Sequence, residues 1–463
     1  MGKKRRRRGV SFGTVFMLAF TAVVAALCAA FLFMIVGTDV YERTGEFIRL
    51  FSQENAFDAV PVLRATPTPR PVITFIEEDT PVPKADATAT PVPARSTIRL
   101  AVGGTVYVPR AVRQGAQERN AFDFMPAFEG VSGAFSGADL AIATLEGTAA
   151  DSRQGYDNYN VPPELFDALR ACGVDLVSLA TEHALDSGYE GLDLTLSELT
   201  ARGMSSAGVN REDVRATMMR IGGIQVAVLA YTYGLSDAGK AKTQNDERGV
   251  MPGLDLNAMI ADVRQARVSG ANLVIVLPHW GTKNKADTAD TIRLMARELA
   301  QAGADVILGT HPNVVQQTQR LRVTRSDGLE YEAVVCYSLG SLMTDSRAEE
   351  NTAGMIAQLD VTYDPVTRET TLGRLECVPV YVARQREEGK TVYRAVDAQN
   401  EEELERLESG ERQRAEAAEA AVRSAALGLS RVEEALEQQL QETGVQSAGE
   451  IHQDLNTVSG GRQ

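Results

Sequence analysis

Three of the chain's four histidines follow short apolar runs. His183 comes after Leu176-Val177-Ser178-Leu179-Ala180, His279 after Leu273-Val274-Ile275-Val276-Leu277, and His311 after Val306-Ile307-Leu308-Gly309. Runs of this length read as buried strands, and in open α/β sheets ligands gather just beyond the carboxyl ends of the strands. One histidine in such a place is more often structural than catalytic. Three in the same register point to imidazoles at the rim of a sheet holding a transition metal for hydrolysis. The fourth, His452, lies in the polar tail, carries no nearby ligand pattern and is incidental.

The elements that would position these rings begin at Thr97. Strands are expected at Ile98 to Val102, Leu140 to Ala143, Leu176 to Ala180, Gln225 to Tyr231, Leu273 to Leu277, Val306 to Leu308 and Ala333 to Tyr337. Helices are expected at Pro163 to Ala171, Tyr189 to Arg202, Asn257 to Ser269 and Thr288 to Ala302. Strands alternating with helices of this length make an α/β domain whose sheet is buried on both faces. It is expected over residues 97–385. Beyond it, residues 397–441 are rich in Glu, Ala, Arg and Gln, with Leu429, Val432, Leu436 and Leu440 at helical spacing. This predicts an amphipathic helix or helical hairpin that packs on the body or on a partner, followed by a frayed tail at 442–463.

Ahead of the domain, residues 10–36 are almost wholly apolar and carry no charge, long enough to cross a hydrocarbon core of about 30 Å as a helix. The basic residues Lys3, Lys4 and Arg5 to Arg8 in the tail at 1–9 would stay cytoplasmic and leave the body outside, a single-pass topology at the cell membrane. A cleaved signal peptide is the rival reading, although its apolar region is usually about 7 to 15 residues. Residues 37–96 read as an extended stalk or a plain linker, because between Ala65 and Ala94 the chain repeats Pro, Thr and Val, as in Thr66-Pro67-Thr68-Pro69.

Composition narrows the function. The 463 residues carry a formal charge of −15 even with that basic terminus included, which argues against a nucleic-acid-binding body. The four cysteines are far apart, and Cys28 sits within the apolar run. They indicate neither a disulfide scaffold nor a cysteine zinc site.

Six ordered strings are more specific than periodicity. They are Ala101-Val102-Gly103-Gly104, Ala143-Thr144-Leu145-Glu146, Leu179 to Gly188, Pro278-His279-Trp280-Gly281, Gly303 to Gln316, and Tyr337-Ser338-Leu339-Gly340-Ser341. Together they resemble the CapA family of capsule and poly-γ-glutamate synthesis proteins, over roughly Thr97 to Val382. The resemblance implies a four-layer α/β/β/α sandwich like that of the calcineurin-type metallophosphoesterases, anchored in the membrane and acting outside the cell on an anionic surface polymer. The chain departs from the family's pattern at the centre. Gly104 stands where the family has the aspartate of Gly-Asp. Thr144-Leu145-Glu146 replaces Asn-Leu-Glu, and Thr181-Glu182-His183 replaces Asn-Asn-His. In His279-Trp280-Gly281-Thr282-Lys283-Asn284 a cation stands where an acid is expected. His311-Pro312-Asn313 replaces His-Pro-His, and Ser341 replaces the asparagine of Ser-Leu-Gly-Asn-Phe.

By this carry-over the metal donors are Glu146, Glu182, His183, His279, His311 and Asn313, with His183 and His279 in catalytic positions and Lys283 and Ser341 toward substrate. That set can hold one divalent ion, of unspecified identity. It is poor for two, which need a bridging carboxylate and further ligands to offset about four positive charges. Lys283, if it points into the cleft, repels a second ion and attracts carboxylate or phosphate. Arg110, Arg113, Arg153, Lys240, Lys242 and Lys285, expected in loops, are further cations for a polyanion.

Three functions follow from this reading. The first is a membrane-tethered protein of surface-polymer synthesis, export or attachment with a degenerate metal site, whose partner is the polymer or its synthesis machinery. The second is an active phosphoesterase or polymer hydrolase with a rearranged single-metal site, in which metal-bound water attacks and His183 or His279 binds metal or shuttles a proton. The third is a non-catalytic cell-wall scaffold using the C-terminal helix.

Overall fold

The computed structural model describes residues 94–443 except 151–154, 158, 211–214, 326, 327, 329, 349 and 350. The basic tail, the apolar segment 10–36, the stalk up to residue 93, Arg153 and His452 lie outside the described residues. Among the described residues no helix is long and apolar enough to cross a membrane.

In chain order the principal strands begin with β1 (Ser96–Val106), β2 (Leu140–Leu145), β3 (Leu176–Ser178), β4 (Ser205–Ala207), β5 (Thr217–Ile221), β6 (Ile224–Thr232) and β7 (Leu273–His279). They continue with β8 (Val306–Leu308), β9 (Thr318–Thr324), β10 (Glu330–Cys336), β11 (Ser341–Met343), β12 (Ala353–Asp364), β13 (Glu369–Glu387) and β14 (Lys390–Asp397). One sheet has the order β14-β13-β12-β1-β2-β3-β4 with β11 beside β1, and the other β9-β10-β8-β7-β6-β5. The strands that lead to the candidate site run parallel: β1 with β2, β2 with β3, β6 with β7, and β7 with β8. Their carboxyl ends therefore face one way within each sheet.

Alternation along these strands divides the core. Ile98, Leu100 and Val102 of β1 join Val226 and Val228 of β6 and Leu273 and Ile275 of β7 in one buried cluster drawn from both sheets. The intervening residues face outward: Ala101 packs with Phe166 and Leu169 of the helix Glu164–Cys172. On the other sheet, Ala227, Leu229, Val274 and Val276 pack with Met259 and Val263 of Leu256–Val268 and Leu299 of Asp290–Ala302. Sheets apolar on both sides explain why their strands read as continuous hydrophobic runs. The helices have clear stops and starts. Asp255 accepts from the backbone of Ala258 at 2.9 Å as an N-cap, and Gly303, at φ 113°, closes Asp290–Ala302 in the left-handed region.

The first sheet runs past residue 385, since the β13–β14 hairpin pairs Val380 with Asp397. The expected C-terminal helical segment resolves into Glu401–Glu405 and Ser409–Thr443. Ala415 and Ala418 of the long helix are buried against Tyr381, Ala383 and Val396, so its first turns pack on the body. Glu411 anchors it, accepting from Arg347 at 2.7 Å, from the Tyr381 hydroxyl at 2.8 Å and from the Arg384 amide at 2.7 Å. Glu411→Gln should lower stability by about 2 kcal/mol, because charge-assisted bonds are weakened and an amide NH2 donor is placed among donors. An unchanged urea midpoint would show that this helix end is not held there.

Candidate functional site

Glu146 follows β2 directly, and its amide donates to the Val106 carbonyl at 3.0 Å, tying it to the end of β1. Glu182 and His183 come from the turn after β3, while Lys283 comes from the loop after β7. Glu146, Glu182 and His183 are all buried, and each brings a donor atom within 4.8 Å of the others, a group that could hold a metal ion. Lys283 reaches the same group. Its ammonium bonds Glu182 directly and lies 3.8 Å from Glu146 Oε1.

His183 is held between carboxylates, with Nδ1 on Asp186 at 2.7 Å and Nε2 on Glu182 at 2.8 Å. Burial alone would lower its pKa, but the hydrogen bonds to Asp186 and Glu182 overturn that and hold the imidazole up at about 9. Burial also works against the Glu182 carboxylate, yet hydrogen bonds from His183 and Lys283 bring it down to about 2. Glu146, without comparable donors, is pushed up by burial against the pull of Lys283 and His183. Lys283 itself is disfavoured by burial and raised on balance by Glu182 and Glu146.

The other two predicted histidines form a second pair. Their rings meet edge-on at 4.8 Å, and Tyr233 lies 4.5 Å from His311. His279 Nδ1 bonds the Thr310 hydroxyl at 3.0 Å. Its Nε2, like His311 Nδ1, is buried without a partner. Burial drives His279 well below an ordinary imidazole and takes His311 down to about 4, so both are neutral near pH 7. His311 has φ 95° and Asn313 φ 58°, left-handed backbone that non-glycine residues adopt at a cost and that clusters at functional sites. Neither imidazole joins the tight Glu146–Glu182–His183 group. Asn313 is half-buried in the same loop, and Ser341 is buried in the ladder opposite Thr105.

Sequence reasoning assigns no role to Asp186, Tyr159, Tyr233 or Thr310. The His183–Asp186 spacing of three residues is a readable signal. Tyr159 stacks on His183 with centroids 3.3 Å apart, and it rides on a loop held by Arg113, which donates to Asn160 at 3.3 Å and to Tyr156 at 3.4 Å. Arg110 and Arg113, expected in a loop, lie on the helix Arg110–Ala116, and Arg113 is buried. Lys240 and Lys242 lie on Asp237–Thr243, where Lys242 is committed to the Asp186 carbonyl. The apolar residues between these cations support helix as readily as loop, and composition does not decide between them.

A metal centre fits these residues only in part. Two ions do not fit: the Gly104 position supplies no carboxylate, and both nitrogens of His183 are bonded to acids. One ion held by Glu146, Glu182 and His183 would have to compete with the Lys283 ammonium, which bonds Glu182 and lies 3.8 Å from Glu146.

The model of the bacterial capsule synthesis protein PGA_cap family matches residues 99–346. The PGA biosynthesis protein CapA of Bacillus subtilis (strain 168) is 27% identical over 221 residues, 47% of this chain and 53% of that one. The capsule biosynthesis protein CapA of Bacillus anthracis is 27% identical over 186 residues, 39% of this chain and 43% of that one. The chain spans about half the length of these curated relatives. Among solved structures, the calcineurin-like phosphoesterase YfkN from Bacillus subtilis aligns over 62% of this chain and 91% of its own at 10% identity, with a TM-score of 0.38.

Proposed function

The chain belongs to the bacterial capsule synthesis protein PGA_cap family, and from that membership we propose that it serves the synthesis, export or attachment of a poly-γ-glutamate-type surface polymer. In this reading residues 10–36 hold it in the membrane, the body works outside the cell, and the strand-end cleft is a degenerate metal centre. The observation that carries it is the family match over 99–346, which spans all six strand-end strings. The division of the core into an inter-sheet cluster and an outer cluster on each sheet supports the four-layer α/β/β/α arrangement.

Charge favours the synthesis machinery over the free polymer as partner. An acidic body repels a polyanion at long range, and the cations nearest the cleft are engaged, Lys283 by Glu182 and Lys242 by the Asp186 carbonyl. Deleting the gene in its host should remove glutamate polymer from the cell surface, read by amino-acid analysis of hydrolysed surface material, and the full chain should restore it. Unchanged surface polymer would sink the reading.

A single-metal phosphoesterase is favoured by one observation, the buried nitrogens of His279 and His311 that have no hydrogen-bond partner. Hydrolysis of bis(p-nitrophenyl) phosphate that requires added Mn²⁺ and is lost in His279→Ala would select it.

A further inference from the structure

We propose that the Lys283 ammonium is a tethered cation standing where a divalent ion would have to bind, and that removing it turns the cleft into a metal site. The inference rests on reading the cleft as a degenerate centre and assigns the residue that keeps it so.

The backbone aims this lysine. The Asn284 amide donates to the Pro312 carbonyl at 2.8 Å, and the Asn284 side chain accepts from Asn351 at 2.6 Å. Gly281, at φ 87°, sets the turn before it. The loop is thus pinned beside Lys283, and the stem spans from the loop after β7 to acids carried just past β2 and by the turn after β3. An ammonium is a compact point charge with three donors and no lone pair. It neutralises carboxylates as an ion would but binds no water for chemistry.

The acids this ammonium touches belong to a group that could hold an ion, with Glu146, Glu182 and His183 each bringing an atom within 4.8 Å of the others. Metal ligands must offer lone pairs, and outside that group two imidazole nitrogens, His279 Nε2 and His311 Nδ1, are not taken up by a hydrogen bond. Both side chains are buried, with 1% and 5% of their surface exposed, and both atoms lack a partner. Within the group, Glu182 is held by Lys283. Lys283→Ala frees that carboxylate and removes a positive charge from the cleft.

The test is equilibrium binding of Mn²⁺ and of Zn²⁺ to the full chain in detergent, with elemental analysis after dialysis. Wild type should retain no stoichiometric ion. Lys283→Ala should bind one ion per chain at least about 100-fold more tightly than wild type, since a unit charge a few ångströms away no longer opposes it. Adding Glu146→Ala, which removes a donor of the group that Lys283 touches, should abolish the gain. Lys283→Met, which keeps the stem packed, covers the case in which the alanine variant fails to fold, and should show the same direction.

Wild type binding one ion as tightly as either lysine variant overturns the inference and leaves the degenerate-centre reading standing. So does the absence of binding in both folded variants. Two ions on wild type would remove that reading as well.

Discussion

Gly104→Asp, the substitution that restores the family's missing carboxylate, should unfold the protein more readily and should not create a metal site. A Cβ at position 104 would lie 2.3 Å from the Gly340 carbonyl oxygen, 2.9 Å from its carbon and 3.0 Å from the Leu339 oxygen. These are backbone atoms, and they are fixed from several sides. The Gly340 carbonyl accepts from the Thr105 amide at 3.0 Å, the Leu339 amide donates to Gly309 at 2.9 Å, and the Leu339 carbonyl accepts from Met355 at 2.8 Å. Overpacking of this kind costs about 1–3 kcal/mol for the methyl group alone. A buried carboxylate without arranged donors adds to that, so the aspartate variant should lose about 3 kcal/mol or more. Gly104→Ala carries the same clash without the charge, and comparing the two by urea unfolding separates packing from desolvation. A Gly104→Asp protein as stable as wild type that takes up Mn²⁺ would show that the strand and the Gly340 turn can part.

That crossing shows where the sequence stops being informative. The absent carboxylate is legible at Gly104, but nothing in the string shows that the vacated space is filled by the turn at Gly340, more than two hundred residues later. The strands carrying the histidines are readable because both their faces are buried: β7 extends the expected Leu273 to Leu277 only to His279, and β8 has the expected bounds. The ribbon of β12, β13 and β14 does not announce itself as strands. In the first part of β13 exposed Arg374 and Glu376 alternate with half-buried Leu375 and Cys377, and a stretch covered on one side only carries a weak apolar signal.

The same limit applies at the site. The strand-end register of His183, His279 and His311 is visible in the sequence, yet their division into a carboxylate-clamped ring and a neutral pair is not. That division depends on Asp186, Thr310 and the Arg113-held loop, contacts that no periodicity encodes.

The clamp on His183 makes the second large effect a pH dependence. The folded imidazole, held near 9, binds its proton more tightly than an unfolded one near 6.5. The clamp's contribution is therefore complete below pH 6.5 and is lost as pH rises through about 9. For a side chain this buried the difference amounts to about 3 kcal/mol. Glu182 has the opposite sign: held near 2 against an ordinary 4.5, it stabilises above pH 4.5 and loses that contribution only as pH falls through about 2. Urea unfolding between pH 6 and pH 10 should show wild type losing stability across the alkaline window. His183→Gln, which keeps a polar group there but carries no titrating charge, should lack that loss while being less stable than wild type at pH 6. If both proteins show the same alkaline slope, the proton is not held between Asp186 and Glu182. A flat profile for wild type would mean the same, since Lys283 would then be the only cation holding Glu182 at neutral pH.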